Sequence, residues 1–160
     1  MGTNYYRIPT ESEVLKKKET LNLDIKQLDT SPAAILYEFR GTGIDQNTHD
    51  SPWEKFMNCM LIHLGKRSGG WKFIWNFHKE KYYTNKEELL KFIRSGRVVN
   101  EYGEKIDQEE FIEMALNWGQ PNGYDLVSYY KDHPTSYAYS YGAHETYIDG
   151  LRVSTSTDFC

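Results

Sequence analysis

The amino-acid sequence predicts an α+β fold, a small and mainly antiparallel sheet with three or four helices. Glycine-containing turns join short runs of strand-forming residues. Polar capping residues precede segments in which apolar side chains recur at helical spacing, and glycines follow these segments. Strands and helices do not alternate regularly, which argues against a doubly wound parallel sheet. We expect a single domain over residues 1–160.

The chain opens with a strand and a helix. Residues 3–8 (TNYYRI) are rich in strand-forming side chains, and Pro9 ends this run. Thr10 can then cap a helix over residues 11–28, where apolar side chains fall on one face. A strand followed by an amphipathic helix is therefore the predicted start of the fold.

The next segment is predicted to hold a strand, a long polar loop and a short helix. Residues 34–40 (AILYEFR) favour a strand, and residues 41–50 are polar enough and long enough for a functional loop. Ser51 before Pro52 is typical of a helix start, with Ser as the cap and Pro in the first turn.

A β-hairpin is predicted around the glycine-rich segment 65–70 (GKRSGG). Apolar runs at 61–64 and 71–77 flank it, and the glycines can adopt the left-handed backbone conformation that tight turns need. In the second arm every other residue is aromatic, so one face of this strand should be wholly aromatic: Trp71, Phe73, Trp75 and Phe77.

Two capping boxes predict the helices that follow. Thr84 with Glu87 should begin a helix that stops at Gly96. Asp107 with Glu110 forms a second capping box and should begin the next helix. Each pair places a side-chain acceptor and a carboxylate where the first turn leaves N–H groups without partners.

Short strands complete the predicted sheet. Residues 97–106 suggest a strand, a turn at Tyr102-Gly103 and a second strand. The tail over 120–140 is loop-like and rich in tyrosine, and Asp149-Gly150 then predicts a two-residue hairpin.

Composition and charge exclude several classes of function. The formal net charge of −4 disfavours a protein that gains affinity for a nucleic acid polymer by neutralising phosphates. Cys59 and Cys160 lie far apart without a Cys-x-x-Cys pair, so we expect reduced thiols and no metal site. A secretion signal and a membrane-spanning run are both missing from the sequence, which predicts a cytoplasmic protein without a membrane partner.

The predicted hairpin is the strongest candidate for chemistry. A glycine-rich turn presents backbone N–H groups, and Lys66 and Arg67 beside them would suit a phosphate. The segment is not a P-loop, since Arg67 follows the lysine where Ser or Thr is required. A basic, solvent-exposed hairpin tip is the alternative. Tyrosines, dense at both ends of the chain, could stack on a nucleobase or pack in a protein interface.

Catalytic arrangements are not evident in the sequence. His144-Glu145 lacks the second histidine of a zinc protease, and a G-x-S-x-G elbow does not occur. We therefore expect a binding protein without a cofactor rather than an enzyme. Residues distant in sequence could still converge into a catalytic site.

Three ordered motifs resemble a family of small phage-encoded proteins. The motifs are the opening MGTNYY, the segment HLGKRSGGW at 63–71 and NEYG at 100–103. Relatives typically carry H-I-G-K-S-S-x-G-W and DEYG at the second and third positions. Many also carry a Cys-x-x-Cys pair between the first two motifs, where this sequence has Cys59 alone, and Arg67 stands in place of their first Ser.

The resemblance implies a phage accessory protein that counters host defence in the host cytoplasm. We expect it to sequester a nucleotide-derived immune signal, a cyclic ADP-ribose isomer or cyclic oligonucleotide, without cleaving it, and to form a homo-oligomer. The alternatives are an inhibitor that binds a host protein and a nucleotide phosphodiesterase. The candidate ligand-binding residues are Asn4, Tyr6, His63, Lys66, Arg67, Ser68, Trp71 and Tyr139.

Overall fold

A computed structural model of the chain describes residues 2–20, 31–32, 62–77, 82–125 and 145–155. This part of the chain contains a seven-stranded sheet and three helices with described bounds, which confirms the α+β class. In chain order the elements are β1 (Gly2–Ile8), α1 (Glu11–Thr20), β2 (Ile62–Ser68), β3 (Ile74–Asn76), α2 (Lys86–Arg94), β4 (Arg97–Asn100), β5 (Lys105–Ile106), α3 (Gln108–Asn117), β6 (Glu145–Ile148) and β7 (Leu151–Ser154).

The strands form one mixed sheet in the order β5-β4-β1-β2-β3-β7-β6. Neighbouring strands are antiparallel except β3 and β7, which pair in parallel through Trp75 with Val153 and Asn76 with Ser154. The sheet is thus larger than expected and not purely antiparallel. The parallel pair joins segments far apart in the sequence, so no local turn could have predicted it.

Strand β1 lies inside the sheet between β2 and β4, and it carries a β-bulge against β2. Tyr5 pairs with Gly65 whereas Tyr6 pairs with His63, which leaves Leu64 as the extra residue of β2. Leu64 is fully buried. On both sides of the bulge, residues that pair across β1 and β2 therefore have their side chains on the same face of the sheet.

The core lies between one face of the sheet and helices α2 and α3. The predicted aromatic face of the 71–77 strand is confirmed for Phe73, Trp75 and Phe77, which are all buried in this core. The prediction is wrong for Trp71, which is half-buried outside this core, because β3 begins only at Ile74 and the alternation does not extend back to it. The ring of Phe111, from α3, lies 6.0 Å from that of Phe73 and 5.8 Å from that of Trp75 between centroids. Burial of each large aromatic side chain contributes roughly 2–3 kcal/mol, so these rings fix α3 on the sheet.

The helix caps agree with the sequence in one case and are shifted in the other. Asp107 accepts hydrogen bonds from the N–H groups of Glu109 and Glu110, as the predicted box requires. The capping box predicted at Thr84 is shifted by one residue: Asn85 is the cap, because its side chain accepts from the N–H of Glu88 at 2.8 Å. Asparagine caps as well as threonine or better, so the later residue takes the position.

The turns of the sheet include one confirmed hairpin and one correction. Asp149 and Gly150 both have positive φ, 51° and 80°, which fits the predicted two-residue turn between β6 and β7. The hairpin of β2 and β3 also forms, but β2 continues to Ser68 and the turn is only Gly69-Gly70. The expectation that Lys66 and Arg67 lie in the turn is therefore wrong.

Helix α1 is tied to the rest of the fold by a buried arginine. The predicted cap is confirmed, since the N–H of Glu13 donates to the Thr10 hydroxyl at 3.2 Å. Arg7 donates to both carboxylate oxygens of Glu13 at 3.1 Å, and to the hydroxyl of Ser95 at 3.1 Å. These contacts connect β1, α1 and the end of α2.

Several predicted features lie outside the described residues. They are the continuation of the first helix to residue 28, the strand at 34–40, the loop at 41–50, the helix starting at Ser51 and most of the tyrosine-rich tail. Within the described residues, the model contains no helix of the length and apolar character needed to span a membrane.

Candidate ligand-binding site

Strand β2 distributes its two predicted cations to opposite faces of the sheet. Asn4 pairs with Lys66 and Thr3 pairs with Arg67 on the neighbouring strand β1. Because successive side chains of a strand alternate, Lys66 shares a face with Asn4, whereas Arg67 shares a face with Thr3. A single phosphate held between adjacent Lys66 and Arg67 side chains is not the arrangement found.

A cavity of about 390 Å³ lies on the Lys66 face, beside the turn that joins β2 and β3. Three predicted residues line it, namely Lys66, Ser68 and Trp71. The sequence analysis missed its other lining residues, Gly69, Lys72, Ile74 and Arg152. Among the described residues, the lining therefore includes three cationic side chains, one hydroxyl, one indole ring and no carboxylate.

Arg152 is held rigidly at the wall of the cavity. Its Nε and Nη2 donate to the two carboxylate oxygens of Glu145 at 2.9 and 2.7 Å, and its Nη1 donates to the carbonyl of Lys72 at 2.7 Å. The two charged side chains are only 8% and 6% exposed. A bidentate pair with a third bond to the main chain fixes the guanidinium plane.

The other cations differ in how they are held. The Nζ of Lys72 lies 3.5 Å from the carboxylate of the buried Asp125. Lys66 is half-buried on β2, opposite Ile74 of β3. Cationic side chains from β2, from β7 and from the segment before β3 thus surround one space, and two of them, Lys72 and Arg152, also pair with buried carboxylates.

One aromatic ring, that of Trp71, lines the cavity, and a second, that of Tyr124, packs beside it. The guanidinium carbon of Arg152 lies 5.3 Å from the centroid of the Trp71 ring. Tyr124 lies 6.0 Å from Trp71 between centroids, and 61% of its surface is exposed. Main-chain hydrogen bonds from Lys72 N to Tyr124 O and from Tyr124 N to Gly70 O hold this tyrosine beside the turn. The two rings offer π surfaces on which a planar group could stack.

Three further predicted residues, Asn4, Tyr6 and His63, do not line the cavity. Asn4 and His63 are buried, and the Asn4 Oδ1 lies 3.0 Å from His63 Nε2. The Nδ2 of Asn76 lies 3.2 Å from His63 Nδ1, and the Nδ2 of Asn4 donates to Glu101 at 3.5 Å. The Tyr6 ring is 5.3 Å from that of His63.

Both ring nitrogens of His63 are engaged in this hydrogen-bonded row, one with Asn4 and the other with Asn76. The row joins β1, β2 and β3 on the same face of the sheet as the cavity, because Asn4 pairs with Lys66.

Arg67 lies on the opposite face, over two aromatic rings. Its guanidinium carbon is 4.9 Å from the centroid of the Trp118 ring and 5.8 Å from that of Tyr5. Tyr139, the last predicted residue, lies outside the described residues. In the described ranges, His, Cys, Asp and Glu side chains form no group of three or more that could hold a metal ion.

One signal in the sequence could have found Arg152. The two-residue turn at Asp149-Gly150 sets the register of the last hairpin, so that Tyr147 faces Arg152 and Glu145 faces Ser154. Glu145 and Arg152 are then diagonal neighbours on one face, within reach of long side chains. Lys72 had no such signal, because its approach to Arg152 depends on the parallel pairing of β3 with β7.

Comparisons with protein-family models, with curated proteins and with solved structures find no match for this chain.

Proposed function

We propose that the chain binds a small phosphorylated nucleotide in the cavity beside the β2–β3 turn and holds it without cleaving it. The observation that carries this proposal is the convergence of Lys66, Lys72 and Arg152 with the Trp71 ring around one cavity of about 390 Å³. Cations and hydroxyls bind phosphate, and indole rings stack on bases, so this set of residues suits both halves of a nucleotide.

The positions of the residues assign the two ends of the ligand. Lys66 and Ser68, with the main chain at Gly69, would bind the phosphate, because they lie together where β2 ends. Trp71 would receive the base, since it lines the cavity, and the exposed Tyr124 packs beside it with 6.0 Å between ring centroids. Arg152 would act mainly as a fixed positive wall, because Glu145 and the Lys72 carbonyl already occupy its hydrogen-bonding edge.

The size and charge of the cavity favour a small ligand. Its volume lies at the low end of the range typical for small-molecule sites, about 300–1,000 Å³. The overall charge of −4 opposes a long polyanion, whereas the local cations attract a single nucleotide. Among the described residues that line the cavity there is no imidazole or carboxylate side chain.

The resemblance to small phage proteins suggests the biological setting. On that basis the ligand is a nucleotide-derived immune signal, a cyclic ADP-ribose isomer or a cyclic oligonucleotide, sequestered in the host cytoplasm by a homo-oligomer. Sequestration requires that the ligand leave the protein chemically unchanged, and this can be measured directly.

The test is calorimetric titration with cyclic ADP-ribose, 3′,5′-cyclic AMP and 5′-AMP, using wild type and two cavity variants. Lys66→Gln removes one cation and Trp71→Leu removes the ring, and each should weaken binding about tenfold or more. Lys91→Gln is the matched control, because Lys91 is 75% exposed on α2 and pairs with Glu87. Circular dichroism confirms that each variant is folded.

The fate of the bound nucleotide is followed in the same samples. Heat denaturation of the complex, followed by chromatography and mass spectrometry, should return the nucleotide intact. Absence of binding to all three nucleotides, or binding that neither cavity variant weakens, would overturn the proposed site. Cleavage products would instead show that the protein acts as a phosphodiesterase.

A further inference from the structure

Arg67 occupies a fixed aromatic cradle on the face of the sheet opposite the cavity. Tyr5, beside it on β1, packs against Phe111 of α3 with 5.1 Å between ring centroids. Trp118 donates from its indole N–H to the carbonyl of Ser68 at 3.0 Å, which holds that ring against the end of β2. Contacts of the guanidinium carbon with both rings, at 4.9 and 5.8 Å, therefore orient the Arg67 side chain.

The hydrogen-bonding edge of Arg67 distinguishes it from the other arginines in the described part of the chain. Arg7, Arg94 and Arg152 each bind a carboxylate through two nitrogens. Arg97 donates to the carbonyl of Pro9 at 2.7 Å. Within the described ranges, Arg67 makes its two ring contacts and no hydrogen bond or ion pair.

A guanidinium stacked through its faces keeps its donors available. The five N–H groups point outward in the plane of the group, whereas rings contact its flat surface. A half-buried cation is only partly solvated, so an oxyanion that approaches this edge replaces few water contacts and forms two parallel hydrogen bonds.

The neighbours of Arg67 on this face are compatible with an anion. Thr3 is its direct partner on β1, which places a hydroxyl beside the guanidinium. Burial is the main cause that raises the pKa of Tyr5, against the opposing charge of Arg67. The Tyr5 phenol therefore stays neutral near pH 7 and does not act as an internal counter-ion.

We propose that Arg67, cradled by Trp118 and Tyr5 and flanked by Thr3, forms a second oxyanion site that is separate from the cavity. Its ligand is a phosphate or carboxylate group of a small molecule, because both match the guanidinium fork. The site does not rest on the proposed function of the cavity, since Arg67 and the cavity lie on opposite faces of the sheet.

The test is an NMR titration of the arginine Nε–H signals of the full-length protein with sodium phosphate and, separately, sodium acetate. The Arg67 signal is assigned by its loss in Arg67→Lys. A saturable shift of this signal is expected with at least one of the two anions. Sodium chloride at matched ionic strength should not reproduce it.

Two variants examine the geometry of the site. Arg67→Lys keeps the charge but loses the planar fork of donors. It should weaken anion binding about tenfold when binding is followed through the main-chain signals of Thr3 and Trp118. Arg94→Lys, at an exposed ion pair on α2, should leave binding unchanged. An unsaturable Arg67 shift, or one that chloride reproduces, overturns the proposal even if nucleotides bind in the cavity.

Discussion

Replacing Arg152 with methionine should lower stability far more than replacing a surface arginine. The methionine side chain keeps much of the volume and removes the charge and all three hydrogen bonds, two to Glu145 and one to the Lys72 carbonyl. Because both charged side chains are more than nine-tenths buried, Glu145 stays in a poorly solvated position without this counter-charge. Breaking a buried pair in this way costs about 3–5 kcal/mol.

The size of this loss can be measured by urea unfolding and by calorimetry. For a chain of this length each kcal/mol lowers the midpoint temperature by about 2–4 °C, so a decrease of roughly 6–20 °C is expected. Glu145→Gln and the Arg152→Met/Glu145→Gln double variant complete a double-mutant cycle. The double variant should be less destabilised than the sum of the single changes, because neither charge is then buried without the other.

Arg94 provides the matched control for this experiment. It binds Glu109 through two nitrogens, at 2.6 and 3.1 Å, but both side chains are about half exposed or more, at 49% and 65%. Arg94→Met should leave the unfolding curve almost unchanged, since water replaces the lost contacts. A loss below about 1 kcal/mol for Arg152→Met, comparable to an exposed pair, would refute the reasoning from burial.

Three further predictions concern turns, caps and pH. Gly119→Ala should destabilise the fold by about 3 kcal/mol in urea unfolding, because a Cβ there would lie 2.9 Å from the Lys72 Cα. Gly70 also has positive φ, but a Cβ there would meet open space, so Gly70→Ala should cost only about 1 kcal/mol. Asn85→Ala should cost about 1 kcal/mol and Thr84→Ala clearly less, which calorimetry can resolve; the reverse order would contradict the assigned cap. Burial raises the pKa of Tyr5, so the contribution of its phenol to stability is complete below pH 10.0 and is lost as the pH rises through the folded-state pKa. The free energy of unfolding of Tyr5→Phe should therefore depend less on pH above pH 10 than that of the wild type. An unchanged slope would contradict this prediction.

Features set by neighbouring residues could be predicted from the sequence. Asp149-Gly150 specifies its turn through the positive φ that both positions adopt, and Asp107 caps α3 through N–H groups two and three residues away. Alternation of aromatic side chains predicted that Phe73 and Trp75 share one face, because the pleat of a strand has a period of two, and both are buried in the structure. In each case the physical cause lies within a few residues of its effect.

Gly65 explains why the β2–β3 hairpin was predicted with too long a turn. It resembles a turn glycine in the sequence, yet it pairs with Tyr5 and Trp75 within the sheet. A Cβ at this position would meet the carbonyl of Ile74 and, at 2.5 Å, the ring of Phe73. Glycine is required here for close packing rather than for a turn, and only the folded arrangement of Phe73 reveals that requirement.

The candidate site depends on pairings that no short segment encodes. Arg152 reaches the cavity because β7 pairs in parallel with β3, and Lys72 reaches it through the end of the β2–β3 hairpin. Three residues that the sequence analysis named, Lys66, Ser68 and Trp71, line one cavity, but the sequence did not point to Lys72 and Arg152 beside them. Parallel pairing joins residues far apart in the chain, and its register follows from packing of the whole sheet.

The pleat of β2 has a functional consequence for its two adjacent cations. Side chains of Lys66 and Arg67 diverge to opposite faces, so a single phosphate cannot draw on both, whatever their proximity in the sequence. The other cations at the cavity, Lys72 and Arg152, come from the segment before β3 and from β7, and each is paired with a buried carboxylate. Arg67 lies on the face of the sheet that packs against α3, where Trp118 and Tyr5 orient its guanidinium. The same alternation that buries the aromatic core thus places Lys66 and Arg67 in two separate proposed anion sites.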